Sequence, residues 1–105
     1  MINVTVMYAN VPGARFDHEY YLNTHMPLTK ERMGDHCKYY AVEKGLMGGE
    51  PGAPPPYVAQ CHIFCESVEA FLAGFMPNMA ELVADIPNYT DIPPTIQISE
   101  VVGQG

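Results

Sequence analysis

Apolar and polar positions follow two different periods along this chain, and the points where the period changes mark its elements. Residues 2 to 8, INVTVMY, are β-branched and aromatic, and NVPG at 10 to 13 ends the run, which predicts a first strand. From Phe16 the period becomes helical: His18, Tyr21, Leu22 and His25 fall at i, i+3, i+4 and i+7 and so share one stripe. Asp17 and Glu19 sit where acidic residues favour a helix N-terminus. Pro27 lacks the amide hydrogen that a helix interior needs, so the helix is expected to bend or restart there, with a second piece over 28–33. His25 then lies at a helix discontinuity.

Residues 37 to 47, CKYYAVEKGLM, predict a second strand, with Lys38, Glu43 and Lys44 pointing to an exposed or edge position. The prolines and glycines of GGEPGAPPP, 48 to 56, make a long hairpin loop, and YVAQCHIFC, 57 to 65, reads as the third strand. Ser67 can cap a helix whose apolar stripe is Val68, Phe71, Leu72, Phe75, Met76, Met79, Leu82, Val83 and Ile86, with a kink between Phe75 and Asn78 expected from Gly74 and Pro77. PNYTDIPP, 87 to 94, is loop, and TIQISEVV, 95 to 102, is a closing strand.

The order βαββαβ, without repeat or internal boundary, predicts one α+β domain over 1–105, a ferredoxin-like sheet with both helices on one face. The other face should be polar if water covers it. In the third strand, however, Val58, Gln60, His62 and Phe64 alternate with Tyr57, Ala59, Cys61, Ile63 and Cys65, and Met7 interrupts Asn3 and Thr5 in the first. A second subunit over that face is the simplest remedy, so a homodimer is expected.

Composition adjusts this picture in three ways. With 105 residues, 48% apolar and only 16% charged, the chain can pack a core but is lean for a fully solvated surface. A formal net charge of −7 argues against nucleic acid or an anionic membrane as partner, since both need a basic patch. There is no apolar run of about 18 residues, and MINVTVMY lacks the basic start of a signal peptide, so a cytoplasmic location is expected. Cys37, Cys61 and Cys65 have no disulfide-framework spacing and read as buried reduced thiols.

Tyr21 and His25, four apart on one helical face, can point a phenol and an imidazole into the same space. Imidazole titrates near neutral pH, so His25 can act as general acid or base without any cofactor, while Tyr21 donates a hydrogen bond to developing negative charge. The same spacing also fits a hydrogen-bonded core histidine. His62 could approach His25 from a strand if it faces the helices; facing the other way, it would be a polar group at the dimer interface. A metal site is set aside, because adjacent strand residues such as Cys61 and His62 point to opposite faces and cannot share one ion. No phosphate loop, nucleophile elbow or dinucleotide fingerprint is present. Met76 and Met79 are expected in the core.

FDHEYYLNTHMPL, 16 to 28, resembles the helix motif of the EthD family, named for ethyl tert-butyl ether degradation, at Phe16, Asp17, Tyr20, Tyr21, His25, Pro27 and Leu28. ADIPNYTDI, 84 to 92, and IQISEV, 96 to 101, are similar to its C-terminal half. The resemblance implies a dimeric α+β barrel in which two ferredoxin-like sheets close on each other, with small apolar or aromatic compounds held between sheet and helices. Two readings stay open. In one, a cofactor-free lyase, isomerase or oxygenase of catabolism uses His25 and Tyr21 catalytically, with His62, Tyr20 and Phe75 as substrate contacts. In the other, a non-catalytic accessory or carrier protein holds a hydrophobic intermediate for a monooxygenase system.

Overall fold

A computed structural model describes residues 1–105. Four strands, β1 (Ile2–Ala9), β2 (Tyr39–Lys44), β3 (Tyr57–Cys65) and β4 (Thr95–Glu100), form one antiparallel sheet in the order β2-β3-β1-β4. Two helical arms cross one face of it. The first comprises α1 (His18–Tyr20), a π-turn over Tyr21–His25 and α2 (Met26–Met33). The second comprises α3 (Val68–Phe75), a 3-10 turn over Met76–Asn78 and α4 (Met79–Asp85). This is the ferredoxin-like α+β fold that the pattern predicts. No helix is long and apolar enough to cross a membrane.

Ser67 caps α3 as expected, accepting from the Ala70 amide, and Asp17, expected as an acidic residue at the helix N-terminus, is the cap itself, accepting from the Tyr20 amide. The predicted break at Pro27 takes a particular form: the Met26 amide bonds back to the Tyr21 carbonyl, five residues away, and Pro27 then opens α2 where its missing donor is tolerated. The arm therefore continues with a π-turn inserted rather than restarting at Leu28. The second arm bends at Met76–Asn78 as expected, but Gly74 has another task. A Cβ there would lie 2.7 Å from the His36 Cβ, so the glycine lets α3 approach the end of the first arm.

Register fixes which residues see the helices. Val4 pairs with Ile63 and Ile98, and Val6 with Cys61 and Ile96, on the covered face. Thr5 pairs with His62 and Gln97 on the other face, with Asn3, Met7 and Phe64 beside them. β2 is an edge strand, as its charges suggest, and is shorter than 37 to 47 because the chain leaves the sheet after Lys44. The core is built from Val4, Tyr8, Tyr21, Met26, Met33, Cys37, Cys61, Cys65 and Tyr89.

Two expectations need correction. Leu22 is exposed although it belongs to the predicted stripe, since the π-turn rotates the arm so that Tyr21 and His25 take the buried positions. In the second arm only Phe71 and Leu82 of the nine-residue stripe are buried, while Val68, Leu72, Met76, Met79 and Val83 are exposed. Within α3 Phe71 faces inward while Val68 and Leu72 flank it on the surface, and the 3-10 turn then shifts the rotational phase of α4, so no single stripe faces the sheet throughout. Met76 and Met79 are thus surface residues in this chain.

Candidate functional site

What brings the two arms together is a short clamp between the start of the first and the end of the second. Phe16 and Thr90 form an isolated antiparallel bridge, the Asp17 amide donates to the Tyr89 carbonyl at 2.8 Å, and the Thr90 hydroxyl donates to the Arg15 carbonyl at 2.7 Å. With 16–17 fixed against 89–90, the end of α4 lies beside the π-turn. Asp85 therefore meets His25.

The His25 side chain is 10% exposed and bonds through Nδ1 to Asp85 Oδ2 at 2.8 Å. Asp85 is itself held by three donors, for its Oδ1 accepts from the Tyr20 hydroxyl at 2.6 Å and from Asn88 Nδ2 at 2.9 Å. Burial works against its charged form, but those hydrogen bonds together outweigh burial and hold its carboxyl below the usual range. An ionised carboxylate can only accept. Nδ1 therefore carries the hydrogen, and Nε2, which has no protein partner, keeps its lone pair. Burial pushes the His25 pKa below its ordinary value, and the Asp85 carboxylate pulls back without cancelling that effect. His25 is a neutral base with one nitrogen tied and one free.

The imidazole lies between aromatic rings, stacked on Tyr21 with centroids 5.7 Å apart and tilted against Tyr89 at 4.6 Å. It lines a cavity of about 110 Å³ between the arms and the sheet, walled chiefly by Val6, Met26, Ile63, Phe75, Leu82 and Ile86. Val83 and Ile96, both more than half exposed, flank its opening between α4 and β4. An apolar cavity of about 150 Å³ takes benzene, so this one suits a small ring or chain that extends into the opening.

Beyond His25, the polar groups in the wall are a few hydroxyls and a thiol. Burial raises the Tyr21 phenol, which interacts with the Cys61 thiol, itself pushed up to about 11 by burial. Tyr8 is raised by burial to about 12, and its hydroxyl is 2.6 Å from that of Tyr89. Burial raises Tyr89 as well. All four groups stay protonated near neutral pH. They can donate or accept hydrogen bonds without contributing charge.

Of the residues expected at the site, His25, Tyr21 and Phe75 share this cavity. Tyr20 does not line it; its hydroxyl is spent on Asp85. His62 does not approach His25. It stands on the opposite face of the sheet, where Nε2 bonds to Glu43 at 3.0 Å and Nδ1 lies 3.1 Å from Asn3 Nδ2 and 3.2 Å from the Thr5 hydroxyl. The alternation of β3 decides this, because Cys61 and Ile63 take the covered face and His62 must take the other. Among His, Cys, Asp and Glu, no group of three or more is arranged to hold a metal ion.

Asp85, Asn88, Tyr89 and Tyr8 are the site residues that helical and strand periodicity left unmarked. A signal for three of them was present, since Asp85, Asn88 and Tyr89 fall within ADIPNYTDI, the second stretch resembling the EthD family. Nothing local pairs that stretch with His25.

Comparison with known proteins agrees with the geometry. The EthD domain family matches residues 14–93, which include both arms and the clamp. The fold is similar to that of an EthD-like protein from Ralstonia eutropha JMP134, 54% identical, with 99% of this chain and 94% of that one covered at a TM-score of 0.94. An ethyl tert-butyl ether degradation (EthD) family protein from Bacillus halodurans C-125 is 17% identical over 97% of this chain and 99% of that one, with a TM-score of 0.68. HapK from Hahella chejuensis is 14% identical over 100% and 96%, with a TM-score of 0.63. At such identities the last two attest the fold alone. No match was found among curated proteins.

Proposed function

The chain belongs to the EthD family, and from that premise we propose that it binds a small apolar or aromatic molecule in the cavity and that His25 moves a proton on it. The observation that carries this reading is the state of His25: Nδ1 is bonded to the Asp85 carboxylate, Nε2 has no protein partner, and the residue lines an apolar cavity. A base so placed accepts a proton from an acidic C–H or O–H of the ligand, and the imidazolium formed is stabilised by the carboxylate behind it. Tyr21, a neutral phenol in the same lining, donates in this reading to the oxygen on which negative charge develops. The apolar side chains around it lower the polarity in which the step takes place. This chemistry needs no cofactor, and it covers lyase, isomerase and cofactor-free oxygenase reactions that begin with proton removal.

The test is deuterium exchange. In D2O, the protein should catalyse exchange of the protons beside the carbonyl in small enolisable aromatic ketones and aldehydes, read by NMR. His25→Gln should slow it about 10²-fold or more while the far-UV spectrum stays unchanged. Exchange that survives the substitution, or none across the panel, overturns the reading.

The bare face of the sheet supports a second proposal, that two copies of the chain pair through it. Phe64 stacks on Tyr39 at 4.4 Å, yet Tyr39 remains 49% exposed, and Met7, further along the same face, is only half-buried. An open aromatic and aliphatic surface of this kind is normally covered. Light scattering at micromolar concentration should give twice the mass of the chain; a monomer sinks the proposal.

A further inference from the structure

We infer that the cavity selects uncharged ligands and admits an anion only together with a proton. This deepens the reading above, on which it rests, by naming the charge class of the ligand. The argument begins with what lines the wall. Neither lysine nor arginine is among the lining side chains. Arg32 is engaged with Glu81 at 2.8 Å, Lys30 donates to the Gly34 carbonyl at 2.9 Å, and Arg15 donates to the carbonyls of Pro87 and Asn88.

The groups that face His25 come from every element around it. Tyr21 lies one turn before it, Asp85 stands at the end of α4, Tyr89 packs below, and Tyr8 and Cys61 reach in from β1 and β3. Of these, Asp85 alone is charged near neutral pH, and its charge is negative. A ligand carboxylate would enter an apolar, weakly screened space, with the only formal charge behind the imidazole repelling it. Its entry becomes favourable when His25 takes up a proton, because Nε2 then turns into a cationic donor. An uncharged ligand with an acidic hydrogen needs no such proton. It donates that hydrogen to Nε2 directly.

The consequence is a linkage that can be measured. Because an anion binds together with one proton, its affinity falls about tenfold for each pH unit above the His25 pKa, while that of an uncharged ligand stays flat. Benzamide and benzoate provide the test, being nearly the same size and differing in charge. Their dissociation constants are measured by NMR titration at pH 7 and pH 8 on the wild-type protein and on His25→Gln.

Benzamide should bind at least tenfold more tightly than benzoate at pH 7. Benzoate should weaken about tenfold by pH 8, and benzamide should not change. In His25→Gln, which has no imidazole to take up the proton, benzoate should bind at least tenfold more weakly than to the wild type at pH 7. Equal affinities, a benzoate affinity independent of pH in the wild type, or no binding of benzamide at millimolar concentration overturns the inference. Charge selection without deuterium exchange would refute the proton-transfer reading alone, and exchange without charge selection would refute this inference alone.

Discussion

Two histidine–carboxylate pairs lie on opposite faces of one sheet, and they differ in what surrounds them. His25 and Asp85 sit on the covered face beside an apolar cavity; His62 and Glu43 sit on the bare face among Asn3, Thr5 and Gln60. The bond lengths are alike, 2.8 Å and 3.0 Å. Their chemical capacity is not. Both nitrogens of His62 are occupied by protein groups, and Glu43 is half exposed, so water shares its charge. His25 keeps Nε2 free, and its carboxylate is 13% exposed and held by two further donors. A histidine beside a carboxylate is thus not in itself a proton-transfer device. It becomes one when one nitrogen stays free and the imidazole lines an apolar cavity.

The sharpest way to break this comparison is to remove one carboxylate from each pair. Asp85→Asn leaves the shape nearly unchanged but no longer requires the hydrogen on Nδ1, and it should slow deuterium exchange about 10²-fold. Glu43→Gln should leave the rate within about twofold, since its histidine does not reach the cavity. A comparable loss from both substitutions, read by the same NMR assay, would erase the distinction drawn here.

A smaller effect should appear in the titration of the covered pair. Burial favours neutral His25, so its folded pKa lies below the unfolded value near 6.5. The unfolded chain then binds more protons in this range, so the stabilisation is complete above about pH 6.5 and is lost as pH falls through the folded pKa. Asp85 acts in the same direction at lower pH, its contribution being present above about 3.8 and lost as pH falls through its depressed pKa. Two-dimensional NMR should therefore place the His25 midpoint below 6.5. Denaturant unfolding should show stability falling from pH 7 towards pH 5, with part of that slope gone in His25→Gln. A His25 midpoint above 6.5 would mean that Asp85 outweighs burial.

The sequence by itself determined the elements and half of the site. The order βαββαβ, the cap at Ser67, the acidic helix start at Asp17, the edge character of β2, the discontinuity before Pro27 and the shared face of Tyr21 and His25 all follow from periods of two and of about 3.6 and from local hydrogen-bond chemistry. Each of these depends on residues a few positions apart. What only the tertiary structure decided are the pairings. Asp85 is 60 residues from His25, and the two meet because the clamp between 16–17 and 89–90 aligns the ends of separate arms. Tyr20 likewise turns from an expected ligand contact into a support for that carboxylate. The phase shift at Met76–Asn78, which puts Met76 and Met79 on the surface, and the face of the sheet on which His62 stands depend on how an arm or strand docks. Local periodicity says which residues lie together on one element, and only the docking of that element says what they face.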